Sequence, residues 1–361
     1  MRFGLSDEQH MLADTTRRIL DEQVPLAVVR EVASSDIGYP RDLWQVMADA
    51  GLAGVLVPHN LGGVGLSMLE GAVVAEQLGC AVAPVPYLST ALMAPTVIRL
   101  GGDDDQQARW LPAIASGELT YGIACSDSIS PRGDTNLQWR DGRLQGVANN
   151  VFDVVGADAY LVVDGDARWF HVMADTPGLK RVDWTTVDKT RAVGQLVFDG
   201  VDAEPLSGES GPHVADRTIE VGRLGLAADI LGAAQHMQDC AVEYAKERRQ
   251  FNRVIGSFQA VKHMCAEMAA QLEPCRAMVW QAAHLCATDP DAAHAFVLHT
   301  KAHLSEVGRA VAKTATEVHG GMGFTDLLGL HYWFKRIGVS RQWLGSPEAL
   351  REQAAHAQGW I

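Results

Sequence analysis

The first third of the chain carries apolar residues at helical spacing. Leu12, Ile19 and Leu20 fall on one face of a predicted helix, and the polar residues between them fall on the other. Ser6 precedes this pattern and Gln9 follows it three residues later, which is typical of a capping box. The same spacing predicts helices over residues 6–23, 41–50, 68–78 and 90–100, and the acidic run at 103–105 predicts the start of another.

The pattern changes after Leu119, where short runs rich in β-branched and aromatic residues replace the helical spacing. Gly, Asp and Pro separate these runs, which is typical of turns between strands. Asp141-Gly142 lies between two runs and predicts a two-residue β-hairpin turn. The predicted strands cover residues 121–126, 137–139, 143–147, 160–163, 169–174 and 192–198. We therefore expect a β-barrel-like middle domain.

Helical spacing returns at about Pro212 and continues over many turns. Ile219, Ile230 and Met237 supply the apolar face of the first long helix, and small residues between them permit close contacts with neighbouring helices. Helices are predicted over residues 218–247, 258–286, 291–319 and 327–339. The whole pattern predicts an α+β fold with an N-terminal all-helical domain over 1–118, a middle β domain over 119–211 and a C-terminal helical bundle over 212–361.

Composition and charge argue against several kinds of partner. The 361 residues carry a net charge of −14 and no long basic tract, which argues against nucleic acid and against an anionic membrane surface. No apolar run is long enough to span a bilayer and the N-terminus does not resemble a signal peptide, so we expect a cytoplasmic protein. Cysteines without CxxC spacing indicate reduced, mostly buried thiols at Cys80, Cys125, Cys240, Cys265, Cys275 and Cys286.

One charged segment, 244–268, contains the strongest candidate chemistry. Arg248 and Arg249 lie close to Phe251, and a break at Gly256 precedes a new helix. A guanidinium group can bond two phosphate oxygens at once, so arginines beside an aromatic ring suit a dinucleotide. The same residues would also suit an ordinary solvated helix end, and the motif alone does not decide between the two interpretations.

The segment resembles the signature of a known family. Tyr-x-x-x-Arg-x-Gln-Phe from Tyr244, then Ile-Gly-x-Phe-Gln from Ile255, is similar to the acyl-CoA dehydrogenase pattern, and His-Gly-Gly-Met-Gly-Phe follows from His319. The likeness extends from about Leu5 to about Trp343. It implies FAD as cofactor, an acyl-CoA thioester as substrate and a C-terminal four-helix bundle where subunits meet. In the implied reaction a carboxylate removes the α proton while a hydride passes to the flavin.

The resemblance places the catalytic carboxylate at one of two positions, and neither position holds an acid here. One lies in a Glu-Gly-Thr-like turn, where Leu344 replaces the expected Glu. The other directly precedes Arg223 and is Gly222. Glu220 and Glu348 lie near these positions in the sequence and are weak candidates for a relocated base. We therefore predict that this chain has no catalytic base of its own.

The residues that would hold a flavin ring in the chain's own middle domain are also replaced. The family's Thr-Glu-Pro and Gly-Ser-Asp segment corresponds here to Ala124-Cys125-Ser126-Asp127, with Arg132-Gly133-Asp134 as its second half. A later strand, Gly-x-Lys-x-Trp-x-Thr/Ser in the family, corresponds to residues 146–152 and lacks the lysine, the aromatic ring and the hydroxyl. The resemblance therefore implies that this half of a flavin site has been lost.

In the family, the neighbouring subunit also holds the pyrophosphate and adenosine of each FAD, and those residues are largely kept. Glycines among them let the backbone approach the cofactor closely. Glu317 stands where the family commonly has Gln, and an unpaired carboxylate there would repel a pyrophosphate. The residues that the resemblance implies for cofactor binding are Arg248, Phe251, Gln259, Glu317, Gly320, Gly321 and Gly323.

This division between lost and kept residues favours one subunit of a heteromeric, two-plus-two acyl-CoA dehydrogenase. Such a chain would complete the FAD site of a second, catalytic chain. The resemblance implies bulky CoA thioesters, such as steroid side chains, as substrates and electron-transfer flavoprotein as acceptor. Two alternatives stay open, a self-sufficient homo-oligomer with a relocated base and a scaffold of the same fold that binds no flavin.

One further cluster has metal-ligand chemistry. His299 and His303 lie one helical turn apart, and Glu306 is near. The cluster has no fourth ligand, so we interpret it as a polar helix face and predict no metal site.

Overall fold

The structure, a computed structural model, describes residues 4–125, 137–209 and 211–361. The predicted capping box of the first helix is present, since Ser6 Oγ accepts from the Gln9 backbone N–H at 3.2 Å and Gln9 Oε1 accepts from the Ser6 N–H at 2.8 Å. The helices before the first strand are α1 (Asp7–Gln23), α2 (Leu26–Ala33), α3 (Arg41–Asp49), α4 (Met68–Cys80), α5 (Ala94–Gly101), which follows the π-helical segment Tyr87–Met93, and α6 (Asp104–Ala115).

The middle of the chain forms one curled sheet. Its strands are β1 (Tyr121–Ala124), β2 (Gln138–Arg140), β3 (Arg143–Phe152), β4 (Ala159–Val163), β5 (Trp169–Met173), β6 (Leu179–Asp183), β7 (Val193–Val201) and β8 (Glu204–Pro205). The strand order is β6-β7-β3-β1-β4-β5-β8, with β2 beside β3. Strand β1 runs parallel to β4, and the other pairs are antiparallel. Asp141 and Gly142 both have positive φ, 50° and 77°, as the predicted hairpin turn requires.

Helices dominate again after the sheet. They are α7 (Pro212–Glu247), α8 (Gln259–Thr288), α9 (Pro290–His319), α10 (Leu330–Ser340) and α11 (Pro347–Ala357), and a short hairpin of β9 (Arg249–Gln250) and β10 (Arg253–Val254) lies between α7 and α8. A helical region, a curled sheet and a second helical region therefore confirm the predicted α+β class.

Close helix contacts occur where the sequence provides small residues. A Cβ on Gly232 of α7 would overlap the carbonyl oxygen of Glu76 on α4, so the two backbones pack directly against each other. A buried ion pair also ties α7 to α10, since Arg336 Nη2 donates to Asp229 Oδ2 at 2.9 Å. Arg336 Nη1 also donates to the carbonyl of Ala83 at 2.9 Å, which leaves this buried cation well satisfied.

The chain separates into two compact units that are interleaved in sequence. One contains the residues up to Val28, Ala72–Ala83 and Arg223–Ile361, and the other contains Val29–Gly71 and Pro84–Gly222. The three-domain boundaries at residues 118 and 211 stay a prediction. No helix within the described ranges is long and apolar enough to cross a membrane.

Candidate functional site

The Arg-x-x-Phe motif forms an exposed hairpin directly after α7. Arg248 is exposed, and its carbonyl accepts from the Ile255 N–H at 2.7 Å, which closes the base of the hairpin. Phe251 and Asn252 form the two-residue turn, and both have positive φ, 52° and 61°. Positive φ is unusual for a bulky residue and costs of order 1–3 kcal/mol. The hairpin thus holds the Phe251 ring 86% exposed.

Aromatic and cationic side chains continue from this hairpin to the start of α8. The Phe251 ring meets the edge of Phe258 with centroids 6.1 Å apart, and the Arg253 guanidinium lies 3.8 Å from the Phe258 centroid. Gln259 is the first residue of α8 and is exposed. The first turn of a long helix leaves backbone N–H groups and partial positive charge, which favour a phosphate group.

The glycine motif forms a tight turn directly after α9. Gly320 has φ 57° and ψ −137°, a conformation that side chains rarely allow, and a Cβ there would meet nothing within 4 Å. Gly321 is equally open. A Cβ on Gly323, in contrast, would lie 2.7 Å from the carbonyl oxygen of Thr316, so this glycine serves packing against α9. The turn therefore presents bare, accessible backbone at Gly320 and Gly321.

Two ring side chains bring the hairpin and the glycine turn together. Tyr244, in the last turns of α7, stacks on His319 at the end of α9, with centroids 4.6 Å apart and planes 30° apart. His319 Nδ1 donates to the carbonyl of Ala315 at 2.7 Å, which fixes the imidazole orientation. Arg248 follows Tyr244 by one helical turn and Gly320 follows His319 directly, so both motifs lie at one end of the bundle.

The charge near the glycine turn is balanced. Glu317, the departure from the expected Gln, lies on the exposed face of α9 and pairs with Lys313, with 3.7 Å between the charged atoms. The hairpin adds three exposed arginines, Arg248, Arg249 and Arg253. Arginines, an exposed aromatic ring and open glycine backbone fit the pyrophosphate and adenosine of FAD, and no unpaired acid opposes them at Glu317.

In the half of the site that would hold the chain's own flavin ring, other residues replace those that the family resemblance implies. Ala124 and Cys125 are buried at the end of β1, whereas Ser126, Asp127 and Arg132-Gly133-Asp134 lie outside the described residues. In β3, the positions of the lost lysine and hydroxyl are Ala148 and Phe152, and both side chains are at least 97% buried. Neither side chain has a group that can donate a hydrogen bond to a flavin.

The turn that would carry a catalytic carboxylate holds a buried leucine in place of the acid. Leu344 has a positive φ of 56° and is 4% exposed, and Gly345 follows with φ 119°. Arg223 Nε donates to the Leu344 carbonyl at 2.8 Å, and Arg223 Nη2 donates to Gln353 Oε1 at 2.9 Å. The arginine thus holds this turn through main-chain contact, and the buried leucine side chain has no group that takes a proton.

Both weak candidates for a relocated base are held in ion pairs. Glu220 is 4% exposed, and its Oε2 accepts from Arg217 Nη1 at 2.7 Å. Glu348, in the first turn of α11, accepts from Arg341 Nη2 at 2.9 Å. Backbone and Ser346 hydrogen bonds, together with Arg341, lower the Glu348 pKa, which makes it a poorer base.

Sequence reasoning missed a buried lysine near Arg223, the residue that holds the Leu344 turn. Lys301 of α9 is fully buried, and its Nζ donates to Ser305 Oγ at 3.1 Å and to the carbonyl of Ser340 at 2.8 Å. Burial and the nearby charges of Arg223 and Arg341 lower the Lys301 pKa to about 7. A lysine on the apolar stripe of a helix was the available signal.

Two of the three residues considered as metal ligands, His299 and Glu306, have other partners. His299 Nε2 lies 3.1 Å from Gln358 Oε1, and Glu306 pairs with Arg341 at 2.8 Å. Within the described residues, no group of three His, Cys, Asp or Glu side chains is placed to hold a metal ion.

Comparison with known families gives two matches along the chain. The model of the acyl-CoA dehydrogenase N-terminal domain matches residues 6–118, and the model of the acyl-CoA dehydrogenase C-terminal domain matches residues 209–359. Two relatives from Mycobacterium tuberculosis are similar over nearly their whole lengths. The acyl-CoA dehydrogenase IpdE2 is 31% identical over 96% of each chain, and the acyl-CoA dehydrogenase FadE27 is 30% identical over 92% of each chain.

Solved structures agree with these matches. A chain of the ChsE4-ChsE5 complex from Mycobacterium tuberculosis superposes with a TM-score of 0.91 at 29% identity over 100% of both chains. A chain of a variant of the Tcur3481-Tcur3483 steroid ACAD superposes with a TM-score of 0.88 at 30% identity over 98% of both chains.

Proposed function

Because this chain belongs to the acyl-CoA dehydrogenase family, a family of FAD-dependent oxidoreductases, we propose that it is the non-catalytic subunit of a heteromeric enzyme. In this role it completes the FAD site of a catalytic partner chain. The observation that carries the proposal is Leu344, buried in a turn that Arg223 holds through the Leu344 carbonyl, at the position where the resemblance implies the catalytic acid. Leucine cannot remove the α proton of a thioester.

The distribution of kept and lost residues supports the proposal. Arg248, Phe251 and the open glycines at 320 and 321 remain exposed at one end of the bundle. The positions that would face the chain's own flavin ring hold Ala148 and Phe152 instead of a lysine and a hydroxyl. Random substitution would not confine the losses to one half of the site. The half that is present is the half that a neighbouring subunit would need.

The kept and lost residues assign different roles to FAD, to the partner chain and to this chain. FAD, when bound, supplies the hydride acceptor, and the partner chain supplies the carboxylate. This chain contributes Arg248 for the pyrophosphate, Phe251 and Gln259 beside it, and the glycine backbone at 320–323 for close approach. Lys313 neutralises Glu317, so the acid does not repel the cofactor.

Relatives support the partner and the substrate class. The ChsE4-ChsE5 structure is named as a complex, and the Tcur3481-Tcur3483 protein is named a steroid ACAD. By analogy, the partner is a second acyl-CoA dehydrogenase chain, the substrate is a bulky CoA thioester such as a steroid side-chain CoA, and electron-transfer flavoprotein is the acceptor. A chain without its own flavin ring leaves room in the assembly for a large ring system.

The test removes one arginine from the complex of this chain with its catalytic partner. Arg248→Ala should weaken FAD binding about tenfold or more, since a charged hydrogen bond contributes about 1.5–3 kcal/mol. Arg351→Ala is the matched control, because it removes the same charge from an exposed residue of α11 outside the motifs. Unchanged FAD affinity in Arg248→Ala would contradict the proposal.

The two alternatives predict different results for the chain expressed alone and for the complex. A self-sufficient enzyme with Glu220 or Glu348 as base would bind FAD and turn over when expressed alone. A scaffold would bind no flavin in either preparation, and Arg248→Ala would then change nothing.

A further inference from the structure

The exposed ring of Phe251 is carried by an unfavourable backbone conformation. Phe251 lies at the tip of the β9–β10 hairpin with φ 52°, and it is 86% exposed. A bulky residue with positive φ persists only where surrounding contacts determine its conformation. Burial contributes little to this, because most of the Phe251 surface is exposed. The contacts that the ring does make therefore decide how it is presented.

Phe258 supplies one of these contacts. The Phe251 and Phe258 centroids lie 6.1 Å apart with planes 77° apart, an edge-to-face arrangement that aromatic pairs favour. Phe258 is the N-cap residue of α8. Its N–H donates to the Ile255 carbonyl at 3.0 Å, and its carbonyl accepts from the Lys262 N–H at 3.1 Å. The Phe258 ring is thus attached to backbone that is held on both sides.

The connection that carries Phe258 also packs directly on α7. A Cβ on Gly256 would lie 2.8 Å from the carbonyl oxygen of Ala245, so a glycine is needed for this close approach. Ser257 Oγ donates to the Val254 carbonyl at 2.7 Å, which ties the connection to β10. These contacts fix the position of Phe258 relative to the hairpin.

Arg253 contacts the face of the same ring. Its guanidinium carbon lies over the Phe258 ring, 3.8 Å from the centroid, which is well within the distance at which a cation attracts an aromatic face. A guanidinium group is planar and stacks on aromatic faces, which a flexible aliphatic side chain does not do. Phe258 therefore contacts both the Arg253 guanidinium group and the exposed Phe251 ring.

We propose that Arg253 is a positioning residue of the donated FAD half-site and acts through the Phe258 ring. The guanidinium group restricts Phe258, and Phe258 in turn restricts the Phe251 ring that the proposed function places beside the cofactor. The inference rests on the proposed function, because FAD is the ligand. Restricting the ring before FAD binds removes an ordering cost that would otherwise reduce the affinity.

The alternative role for Arg253 is a direct bond to the pyrophosphate, as proposed for Arg248. The two roles differ in their dependence on salt. An exposed contact between a guanidinium group and a phosphate is screened by salt, so its removal reduces the loss of FAD affinity that added KCl causes. A residue that acts through the Phe258 ring leaves that salt dependence unchanged.

The test measures the FAD affinity of the complex of this chain with its catalytic partner, at low and at high KCl. Arg253→Met removes the charge and keeps a long side chain. It should raise the Kd about twofold to fivefold, the contribution of an exposed cation–π contact, with the salt dependence of the unaltered complex. Arg253→Lys keeps a cation near the ring and should bind FAD more tightly than Arg253→Met.

A double-variant cycle tests whether the effect passes through Phe258. Phe258→Leu removes the ring and should weaken FAD binding at least as much as Arg253→Met. Adding Arg253→Met to Phe258→Leu should cause no further loss, because the contact between the two residues is already gone. Arg351→Met is the matched control, since it makes the same charge change at an exposed residue of α11 and should leave the Kd unchanged.

Arg248→Ala, measured alongside, separates this inference from the proposed function. If Arg248→Ala weakens FAD binding and Arg253→Met does not, the positioning role is wrong and the donated half-site stands. If neither variant weakens FAD binding, the donated half-site is wrong as well. A reduced salt dependence in Arg253→Met, additive losses in the double variant, or equal Kd values for Arg253→Lys and Arg253→Met would also overturn the positioning role.

Discussion

The ring of Tyr244 stacks on the imidazole of His319, with centroids 4.6 Å apart. One residue begins the arginine motif and the other begins the glycine motif, and 74 residues lie between them in the sequence. The stack therefore fixes the distance between the exposed hairpin and the open glycine turn. We infer that it positions both elements for one cofactor.

Removing the Tyr244 ring should loosen this arrangement. An aromatic pair contributes about 0.5–1.5 kcal/mol beyond its buried area, so Tyr244→Ala should weaken FAD binding by roughly threefold to tenfold in the complex. Tyr244→Phe keeps the ring and should bind FAD as the unaltered chain does. FAD titration by fluorescence measures both, and equal affinities for all three proteins would show that the stack has no positioning role.

Alanine substitutions at two adjacent glycines should distinguish an effect on folding from an effect on FAD binding. Gly320→Ala forces a side chain into a positive-φ conformation and should destabilise the fold by about 1–3 kcal/mol. Gly321→Ala has open space and no such φ, so the Tm without FAD should not change. If the cofactor packs on this backbone, Gly321→Ala should still lower FAD affinity. A Gly321→Ala protein with normal affinity would place the cofactor elsewhere.

Neither remaining acid should be needed for turnover. Glu348→Gln and Glu220→Gln should leave kcat of the complex within about twofold, because in the proposed function the partner supplies the base. Glu220→Gln should lower stability, since it weakens a buried ion pair with Arg217. Removal of a true general base lowers the rate about 10²–10⁴-fold. A loss of that size in either variant would identify a relocated base and restore the self-sufficient enzyme.

Acid should destabilise the fold through a buried histidine. His236 stacks on Trp333 at 4.1 Å, and burial lowers its pKa to about 4 from an ordinary 6.5. Between these values the unfolded chain binds a proton that the folded chain does not, so stability falls as pH falls from about 6.5 to 4. The loss from this residue reaches about 3 kcal/mol near pH 4.

Chemical denaturation at pH 7 and at pH 4.5 measures this loss. His236→Phe keeps a ring against Trp333 without a titrating group and should lose less stability on acidification than the unaltered chain. His303→Gln removes an exposed histidine and should behave as the unaltered chain does. The same acid loss in His236→Phe would assign the effect to other groups.

The sequence predicted most helices because their ends carry local signals. α1 begins after the Ser6 capping box, and α9 ends at the residue before Gly320. α11 was not predicted, although Ser346 caps it and Pro347 occupies its first turn. β6 was missed because it is an edge strand with mostly exposed residues and little alternation. The predicted strand over 143–147 was too short, because β3 continues through a bulge to Phe152.

The candidate site was only partly predictable, because local patterns are visible in the sequence and contacts between distant helices are not. The resemblance to the family's motifs gave the identities of Arg248, Phe251 and the glycines, since these belong to short local patterns. It gave neither the Tyr244–His319 contact nor the buried Lys301, because both depend on how distant helices pack. The positive φ of Phe251 is likewise set by hairpin closure and not by the preference of phenylalanine.

The central claim is that this chain donates half of an FAD site and holds no complete site itself. The most direct measurement is the molar ratio of FAD to chains, for this chain purified alone and for the chain co-expressed with its catalytic partner. We predict no FAD with the chain alone and about one FAD per pair of chains in the complex. One FAD per chain in the protein expressed alone would contradict the account.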